Sequence, residues 1–181
     1  MNPDYMKRLT QLNGGVEEAM MVPAIILAQD KHIQQFLGTD LLNKLKNDVA
    51  GIDGGSITGA YATLLDGYVR KAVVWWAMVE LIPNLYVQLD NGGLVIRTSE
   101  NTSAVTQADV HREQENARQN AQFYTTRLVD YLRQNNGSFP EYSSNSGNDM
   151  SPETQVYYQN GMTISGGDGK MPQTLADYLY R

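Results

Sequence analysis

One carboxylate stands in a stretch of the chain that is otherwise almost entirely apolar. Glu80 lies within residues 75–82, and a carboxylate isolated among buried apolar side chains has a raised pKa and often belongs to a functional site. At about 100° per residue, however, a helix places Glu80 on one strip with Asp66 and Arg70, which are four residues apart and can pair. The pattern therefore predicts either a solvated, ion-paired helix face or a groove for a neighbouring subunit.

Other motifs that suggest chemistry are incomplete. The segment Gly167-Asp168-Gly169-Lys170 ends like a phosphate-binding loop, but Met171 follows the lysine and Ile164 occupies the position of the first glycine. His111 and Glu115 lie four residues apart and could share a metal ion, although two solvated side chains on a polar helix face are the simpler interpretation. From these patterns we expect no metal site and no cofactor.

Catalysis by Glu80 would require a second acidic group, and Asp66 or Asp109 is the candidate partner for a hydrolase. The chain has no Cys, which excludes disulfides, Cys-based zinc sites and thiol nucleophiles. His32 is interpreted as a helix-surface residue. Because no nucleophile or ligand set converges on Glu80, we predict that the protein is not an enzyme.

The composition favours contacts with proteins over contacts with nucleic acids. The chain has 181 residues, a formal net charge of −6 and only 19% charged residues, whereas about 25% is typical. An acidic chain lacks the clustered Lys and Arg that phosphate-backbone binding needs, and its 11 Tyr suit polar protein interfaces. We expect no signal peptide and no membrane span, because the N-terminus lacks an apolar core and no run approaches ~18 apolar residues.

Four segments place apolar residues at helical spacing, and they predict helices over residues 23–37, 39–49, 61–82 and 106–134. Pro23 is interpreted as a first-turn residue, where its missing N–H costs nothing. The third helix is apolar on almost every side near its end, which predicts that it lies at the centre of a bundle. The residues expected to face inward along the first three helices are Ile26, Ile33, Phe36, Leu37, Leu41, Leu42, Leu45, Val49, Tyr61, Leu64, Leu65, Tyr68, Ala72, Trp75, Trp76 and Val79.

Glycine, proline and polar runs mark where these helices change. Gly38 is expected to end the first helix, and Pro83 to end or kink the third. Asp90-Asn91-Gly92-Gly93 is a turn, and the apolar run at 94–98 predicts one strand of a small β-hairpin. Residues 107–119, the first half of the fourth helix, are polar on every side and are expected to project from the body.

The predicted elements divide the chain into three parts. These are an N-terminal segment (residues 1–21), a helical body (22–137) with the short β insertion near 90–105, and a long irregular C-terminal arm (138–181). The arm is too long for an ordinary loop, so we expect it to wrap the body or to order on a partner. A hairpin around Asn160-Gly161 would present arm residues for binding to a neighbour. The candidate arm residues are Tyr157, Tyr158, Met162 and Ile164.

The run from residue 23 to residue 142 resembles the head–tail adaptors of tailed phages. It is most similar to the ring (neck) proteins of crAss-like and related Bacteroidetes phages. The stretches that carry the resemblance are PAIILAQD (residues 23–30), IQQFLGT (33–39), WWAMVELIPNL (75–85), FYTTRL (123–128) and FPEY (139–142). These are structural signatures rather than catalytic motifs, and they span about two thirds of the chain.

The resemblance implies a mainly α structural protein of the virion, made in the host cytoplasm and placed at the neck between head and tail. Such proteins form a closed ring of about twelve copies, a dodecamer, beneath the portal protein. The ring extends the channel through which DNA passes without specific binding, and it joins the portal to other neck or tail proteins. The C-terminal arm would then bind the portal or a neighbouring copy. The resemblance implies no catalysis, no cofactor and no membrane contact.

A closed ring is held by head-to-tail contacts, so each subunit needs two different faces. The candidate interface residues are Asp66, Arg70 and Glu80 on the third helix, and Asp109, Arg112 and Glu113 on the fourth. The alternative function is a small helical peptide- or ligand-binding module without catalysis, in which Trp76 and nearby Tyr residues line a pocket.

Overall fold

The computed structural model describes residues 3–10, 12, 15–51, 57–90, 93–96, 106–144 and 149–156. Most of these residues are helical, which confirms the predicted mainly α class. The helices are α1 (Pro3–Leu9), α2 (Glu18–Ala28), α3 (Gln34–Ala50), α4 (Gly59–Leu64), α5 (Arg70–Tyr86), α6 (Gln107–Gln134) and α7 (Pro140–Ser143). Two π-helical turns, Gln29–Ile33 and Leu65–Val69, connect α2 to α3 and α4 to α5, and a 3₁₀ turn, Asn136–Ser138, precedes α7.

Helix α5 is the central element of the bundle. It packs along α6 and along α2, and it also contacts α1. Small side chains allow the close approach to α6, since Ala72 and Ala77 of α5 and Ala117 and Ala121 of α6 are all buried. Most of the apolar side chains of α5 are therefore covered by neighbouring helices, as its sequence led us to expect.

The second π-turn changes which residues of the central helix face the core. A π-turn adds one residue to the helical path, so the facing residues shift by about 100° beyond it. Val69, the last residue of this turn, and Val73 are buried. Tyr68 and Trp75, which were predicted to face inward, are only partly buried. The change is partial, because Ala72 and Val79 are buried as predicted. Trp76 is the core tryptophan, with 6% exposure. A helical wheel that assumes a constant angle per residue cannot predict this change.

Helix α2 begins five residues before Pro23, so the prediction that Pro23 lies in the first turn is wrong. The fixed φ of proline suits a helix, and the buried side chains of Met21, Ala24 and Ala28 hold α2 against the core on both sides of Pro23. In this register Ile26 is 53% exposed, although its spacing predicted an inward position.

Helix α5 continues through Pro83 to Tyr86. Because Pro83 has no N–H, the carbonyl of Val79, four residues earlier, loses its helical partner. The side chain of Gln114 on α6 donates a hydrogen bond to this carbonyl at 3.1 Å. From Gln114 onward, with Ala117 buried, the polar half of α6 packs on α5, so the prediction that this half projects from the body is wrong there.

The core extends beyond the predicted helical body at both ends. Met6 in α1 and Met21 in α2 are fully buried. Phe139, just before α7, is also fully buried, and Tyr142 is 5% exposed. Large buried side chains therefore hold both ends of the body, and ordered helical structure continues past residue 138, where the arm was predicted to begin.

A short antiparallel ladder follows α5 directly. Its strands are β1 (Val87–Asp90) and β2 (Gly93–Ile96), and its register places Val87 opposite Ile96 and Asp90 opposite Gly93. The predicted insertion reached residue 105, and residues 97–105 lie outside the described part of the chain. The arm residues that also lie outside it are Tyr157, Tyr158, Met162 and Ile164.

Candidate functional site

Glu80 belongs to a cluster of four side chains, Lys31, His32, Trp76 and Glu80, which we call the Glu80 cluster. Glu80 Oε1 is 2.8 Å from Lys31 Nζ and 2.8 Å from His32 Nε2. The imidazole of His32 stacks on the indole of Trp76, with ring centroids 3.9 Å apart and planes inclined by 6°. The side chain of His32 is 15% exposed, so the interpretation of His32 as a surface residue is wrong. The cluster joins the first π-turn to α5.

The protonation states of the cluster oppose acid catalysis by Glu80. Burial tends to raise the pKa of Glu80, but hydrogen bonds from Lys31 and His32 outweigh burial and bring the pKa below its usual value of 4.5. Burial lowers the pKa of His32 below 6.5, so at neutral pH a neutral ring donates its Nε2–H to Glu80. Glu80 is therefore an ionised partner and not the acid with a raised pKa that isolated burial would produce.

Trp76 extends the cluster into the contact between α5 and α6. Its indole Nε1–H donates to Thr125 Oγ1 at 2.9 Å, and the Thr125 hydroxyl donates to the carbonyl of Ala121 at 2.8 Å. Thr125 is fully buried, and these two consecutive hydrogen bonds give both its hydroxyl and the indole N–H a partner. Trp76 is thus packed between His32 and Thr125, where it stabilises the bundle.

The structure separates the three charged residues that were predicted to share one strip. Asp66 and Arg70 form an ion pair, whereas Glu80 pairs within the Glu80 cluster. Val73 and Ala77, which lie between these positions along the strip, are buried. The strip is therefore not a continuous charged surface, although Asp66, Arg70 and Glu80 are each ion-paired.

The second predicted set of charges lies at the exposed start of α6. Thr106 and Asp109 form a reciprocal capping box, and hydrogen bonds from Thr106, with the nearby Arg112, lower the pKa of Asp109. Arg112 lies 3.1 Å from Asp109 and 3.8 Å from Glu113. These side chains are 41–68% exposed, and every pairing is local in sequence. His111 is exposed beside them.

An apolar groove of about 280 Å³ opens between α3, the second π-turn and α5. Val49 lies in its wall and is 54% exposed, although its spacing predicted a core position. Arg70 borders the groove, and so does Lys46, which lies 3.6 Å from Asp30. The apolar walls of this α3–α5 groove are formed by Leu42, Leu45, Val49, Leu65, Val69 and Val73.

A second apolar surface covers the outer face of α2. Val22, Ile26 and Leu27 are 42%, 53% and 45% exposed, and Pro23 is exposed among them. We call these four residues the α2 ridge. Isolated exposed apolar side chains are common, but four on one helix face form a contiguous patch of the kind that marks an interaction surface.

Sequence reasoning missed both apolar surfaces, and only one of them left a signal. Helix α2 is apolar on nearly every side, whereas a helix that buries one face needs only one apolar stripe. The apolar residues of α2 beyond those needed for one buried face therefore indicate a second contact surface. The α3–α5 groove depends on how α3 packs beside the second π-turn, which no local pattern encodes.

The described residues contain no group of three or more His, Cys, Asp and Glu side chains placed to hold a metal ion. Among them there is also no helix long and apolar enough to cross a membrane.

Residues 33–151 match the sequence profile of a family of unknown function, DUF6712. The chain belongs to this family. The matched region of this DUF6712 chain runs from the last residue of the first π-turn to Ser151, so it includes α3, α5, α6 and the first residues after α7. No curated protein and no solved structure matches the chain.

Proposed function

We propose that the chain is a structural virion protein, a ring-forming head–tail adaptor that docks beneath the portal of a tailed phage and extends the DNA channel toward the tail. The resemblance of residues 23–142 to neck-ring proteins motivates this function. The observation that carries it is the presence of two different apolar surfaces, the α2 ridge and the α3–α5 groove, on one small chain.

We propose that the two surfaces form a head-to-tail contact between neighbouring copies. A closed ring needs two different faces on each copy, and a convex helix face that enters a concave groove satisfies this need. In our proposal the α2 ridge of one copy fills the α3–α5 groove of the next. Fully burying one exposed Leu or Ile side chain contributes roughly 1.5–3 kcal/mol, and because Ile26 and Leu27 are each about half exposed, covering both would contribute about as much as one full burial.

The charged candidate residues are proposed to contribute less to this contact than the two apolar surfaces do. Arg70 borders the groove and Asp66 pairs with it, so these two residues form part of a polar rim around an apolar centre. The cluster of Asp109, Arg112 and Glu113 is a candidate for a further rim at the start of α6. Rim charges set register and association rate more than affinity.

The remaining parts of the proposal concern partners. The ring meets the portal and other neck or tail proteins, and the net charge of −6 fits a channel through which DNA passes without being held. The arm residues Tyr157, Tyr158, Met162 and Ile164 are proposed to bind the portal by strand addition. Hydrogen exchange at these four residues should then slow when the portal is added.

Two single substitutions test the ring and its faces. Ile26→Asp places a charge on the α2 ridge, and Val49→Asp places one in the groove. Both sites are more than half exposed, so both variants should fold, with the circular dichroism of the unaltered chain. Light scattering should show a ring-sized species for the unaltered chain, alone or with the portal, and monomers for each variant.

A mixture of the two variants gives the sharper result. Each variant keeps one intact face, so the pair should form a capped dimer of one copy of each. Phe123→Asp is the matched control, because Phe123 is 56% exposed and lies outside both surfaces. The proposed contact is wrong if the mixture stays monomeric or if either variant still forms rings. The adaptor function itself is wrong if the unaltered chain stays monomeric and ignores the portal.

The α3–α5 groove also favours one alternative, a peptide- or ligand-binding module without catalysis. Its volume of about 280 Å³ and its apolar walls suit a small apolar group. A chain that stays monomeric, together with a bound apolar probe that Val49→Asp displaces, would support this alternative over the ring.

A further inference from the structure

The chain path of α3 is broken at Gly38. Its φ of 73° and ψ of 163° are far from helical values, and helical residues stand on both sides. In a continuous helix the N–H of Thr39 would donate to the carbonyl of Gln35, four residues earlier. The break separates these two groups and leaves both without a helical partner. Buried or half-buried backbone groups of this kind need other partners.

A segment from beyond α7 supplies both missing partners. The N–H of Thr39 donates to the carbonyl of Met150 at 3.0 Å, and the N–H of Glu153 donates to the carbonyl of Gln35 at 2.7 Å. The segment is thus inserted at the break in the helix, with one backbone hydrogen bond on each side. We call this opening, formed by Gln34, Gln35, Gly38 and Thr39, the Gly38 notch.

Side chains add selectivity to these backbone bonds. Asp149 Oδ2 accepts hydrogen bonds from Thr39 Oγ1 at 2.9 Å and from Gln34 Nε2 at 2.8 Å. Thr39 Oγ1 also accepts the N–H of Met150 at 3.2 Å. Pro152 Cδ lies 2.8 Å from the position that a Cβ on Gly38 would occupy, so only glycine admits the proline ring. The notch therefore selects an acidic residue at the first position of the segment, Asp149, and a proline at the fourth, Pro152.

We propose that the Gly38 notch is a peptide-binding site for a segment of the form Asp-X-X-Pro, followed by a residue that donates its backbone N–H. In this chain residues 149–153 occupy the site in cis. The bound segment fixes where the chain leaves the body, because the next residues, Thr154 to Val156, border a cleft whose other wall is Thr126, Val129 and Arg133 of α6. This inference does not depend on ring formation.

Gly38→Ala tests the site against a matched control. The added methyl would collide with Pro152, and the φ of 73° would also strain an alanine. Gly51→Ala is the control for a side chain at positive φ without a collision, since Gly51 has a φ of 66° and nothing lies within 4 Å of its Cβ position; its ψ of 22° makes its backbone strain milder than that at Gly38. In the full chain, Gly38→Ala should speed amide exchange at Thr39 and Glu153 by about tenfold or more, as expected for the loss of two hydrogen bonds.

The same comparison applies to proteolysis. A protease that cleaves after glutamate should cut the bond after Glu153 faster in Gly38→Ala than in the unaltered chain, whereas Gly51→Ala should be cut at the unaltered rate. Mass spectrometry identifies this cut among cuts at other glutamates. Equal exchange and equal cleavage in the two variants would overturn the proposal.

A cysteine pair tests whether the segment binds in cis. The chain has no Cys, so Thr39→Cys with Met150→Cys introduces the only thiols. We expect a disulfide within one chain, with no change in mass on a non-reducing gel, and none in a variant that also carries Gly38→Ala. Disulfides between chains, or equal cross-linking in the Gly38→Ala background, would overturn occupancy in cis.

Discussion

The Glu80 cluster and the start of α6 use the same kinds of side chain in opposite ways. At Glu80, a carboxylate meets Lys31 and His32, whose positions in the sequence are 49 and 48 residues away. At the start of α6, Arg112 pairs with Asp109 and Glu113, which are its near neighbours in sequence. Glu80 is 18% exposed, whereas Arg112 is 68% exposed.

The difference shows which charges organise the fold. Ion pairs between exposed neighbours on one helix contribute little, because water screens them and the side chains lose freedom. The Glu80 cluster instead ties the first π-turn to α5, and through Trp76 and Thr125 it reaches α6. The type of charge alone therefore does not show whether a residue organises the fold. Its burial and its pairing with residues distant in sequence do. Three measurements test this contrast.

The largest effect is expected from Thr125→Val at the buried end of the Glu80 cluster. The substitution leaves the indole N–H of Trp76 buried without a partner, and a group of this kind costs about 1–3 kcal/mol. Urea unfolding followed by circular dichroism should show a lower free energy of unfolding by about 2 kcal/mol.

Trp76→Phe provides the control for this loss. It removes the N–H that needs a partner, so Thr125→Val should cost less in the Trp76→Phe background than in the unaltered chain. A double-mutant cycle should give a coupling free energy of about 1 kcal/mol. Strict additivity of the two substitutions would show that the indole hydrogen bond does not stabilise the fold.

A smaller effect is expected from mild acid acting on His32. Burial lowers the pKa of His32 in the folded chain, so below pH 6.5 the unfolded chain binds a proton that the folded chain does not. Stability should then fall as the pH drops from 6.5 toward the folded pKa. The lowered pKa of Glu80 adds a second loss below pH 4.5, since its stabilising effect is present only while the carboxylate is ionised.

Unfolding free energies measured at about pH 7.5 and pH 5.5 separate the loss of stability caused by His32 from the loss caused by Glu80, which occurs at lower pH. His32→Phe keeps an aromatic ring on Trp76 and removes the titrating group, so the difference between the two pH values should shrink. His111→Gln is the control, because it removes the chain's other histidine, which is exposed and lies outside the Glu80 cluster. A difference that persists in His32→Phe would assign the acid sensitivity to another group.

The sequence predicted the parts of the fold that depend on local pattern. Helical spacing located α3, the central helix and α6, and Gly38 interrupts the helical path as expected. Several of the failures depend on contacts between segments that are distant in the sequence. At the second π-turn Val69 and Val73 are buried although they were not among the predicted inward residues. Ala72, Trp76 and Val79 are buried as predicted. Of the two outcomes expected at Pro83, an end of the helix does not occur, and Gln114 satisfies the freed carbonyl.

The candidate site shows the same limit. Helical arithmetic placed Glu80 with Asp66 and Arg70, because it could use only residues on one helix. The partners chosen by the fold, Lys31 and His32, lie on another element. The Gly38 notch was equally hidden, since the glycine was visible as a helix end but its partner segment lies more than a hundred residues later.

The smallest effect is expected at the start of α6. Arg112→Ala removes both exposed pairings, with Asp109 and with Glu113, and exposed pairs of this kind contribute about 0.2–1 kcal/mol. The capping box between Thr106 and Asp109 remains, so the unfolding free energy should fall only slightly, and 0.5 M salt should reduce the difference further.

Glu80→Ala is the reference for that result, because it leaves His32 without its hydrogen-bond acceptor. It should cost about 1–2 kcal/mol and should keep most of this cost in salt, since half-buried groups are screened less. Equal losses for Arg112→Ala and Glu80→Ala would contradict the contrast between the two clusters. A large loss of ring formation in Arg112→Ala, with stability unchanged, would instead show that the start of α6 acts in assembly, because a rim charge has its effect only when a partner meets it.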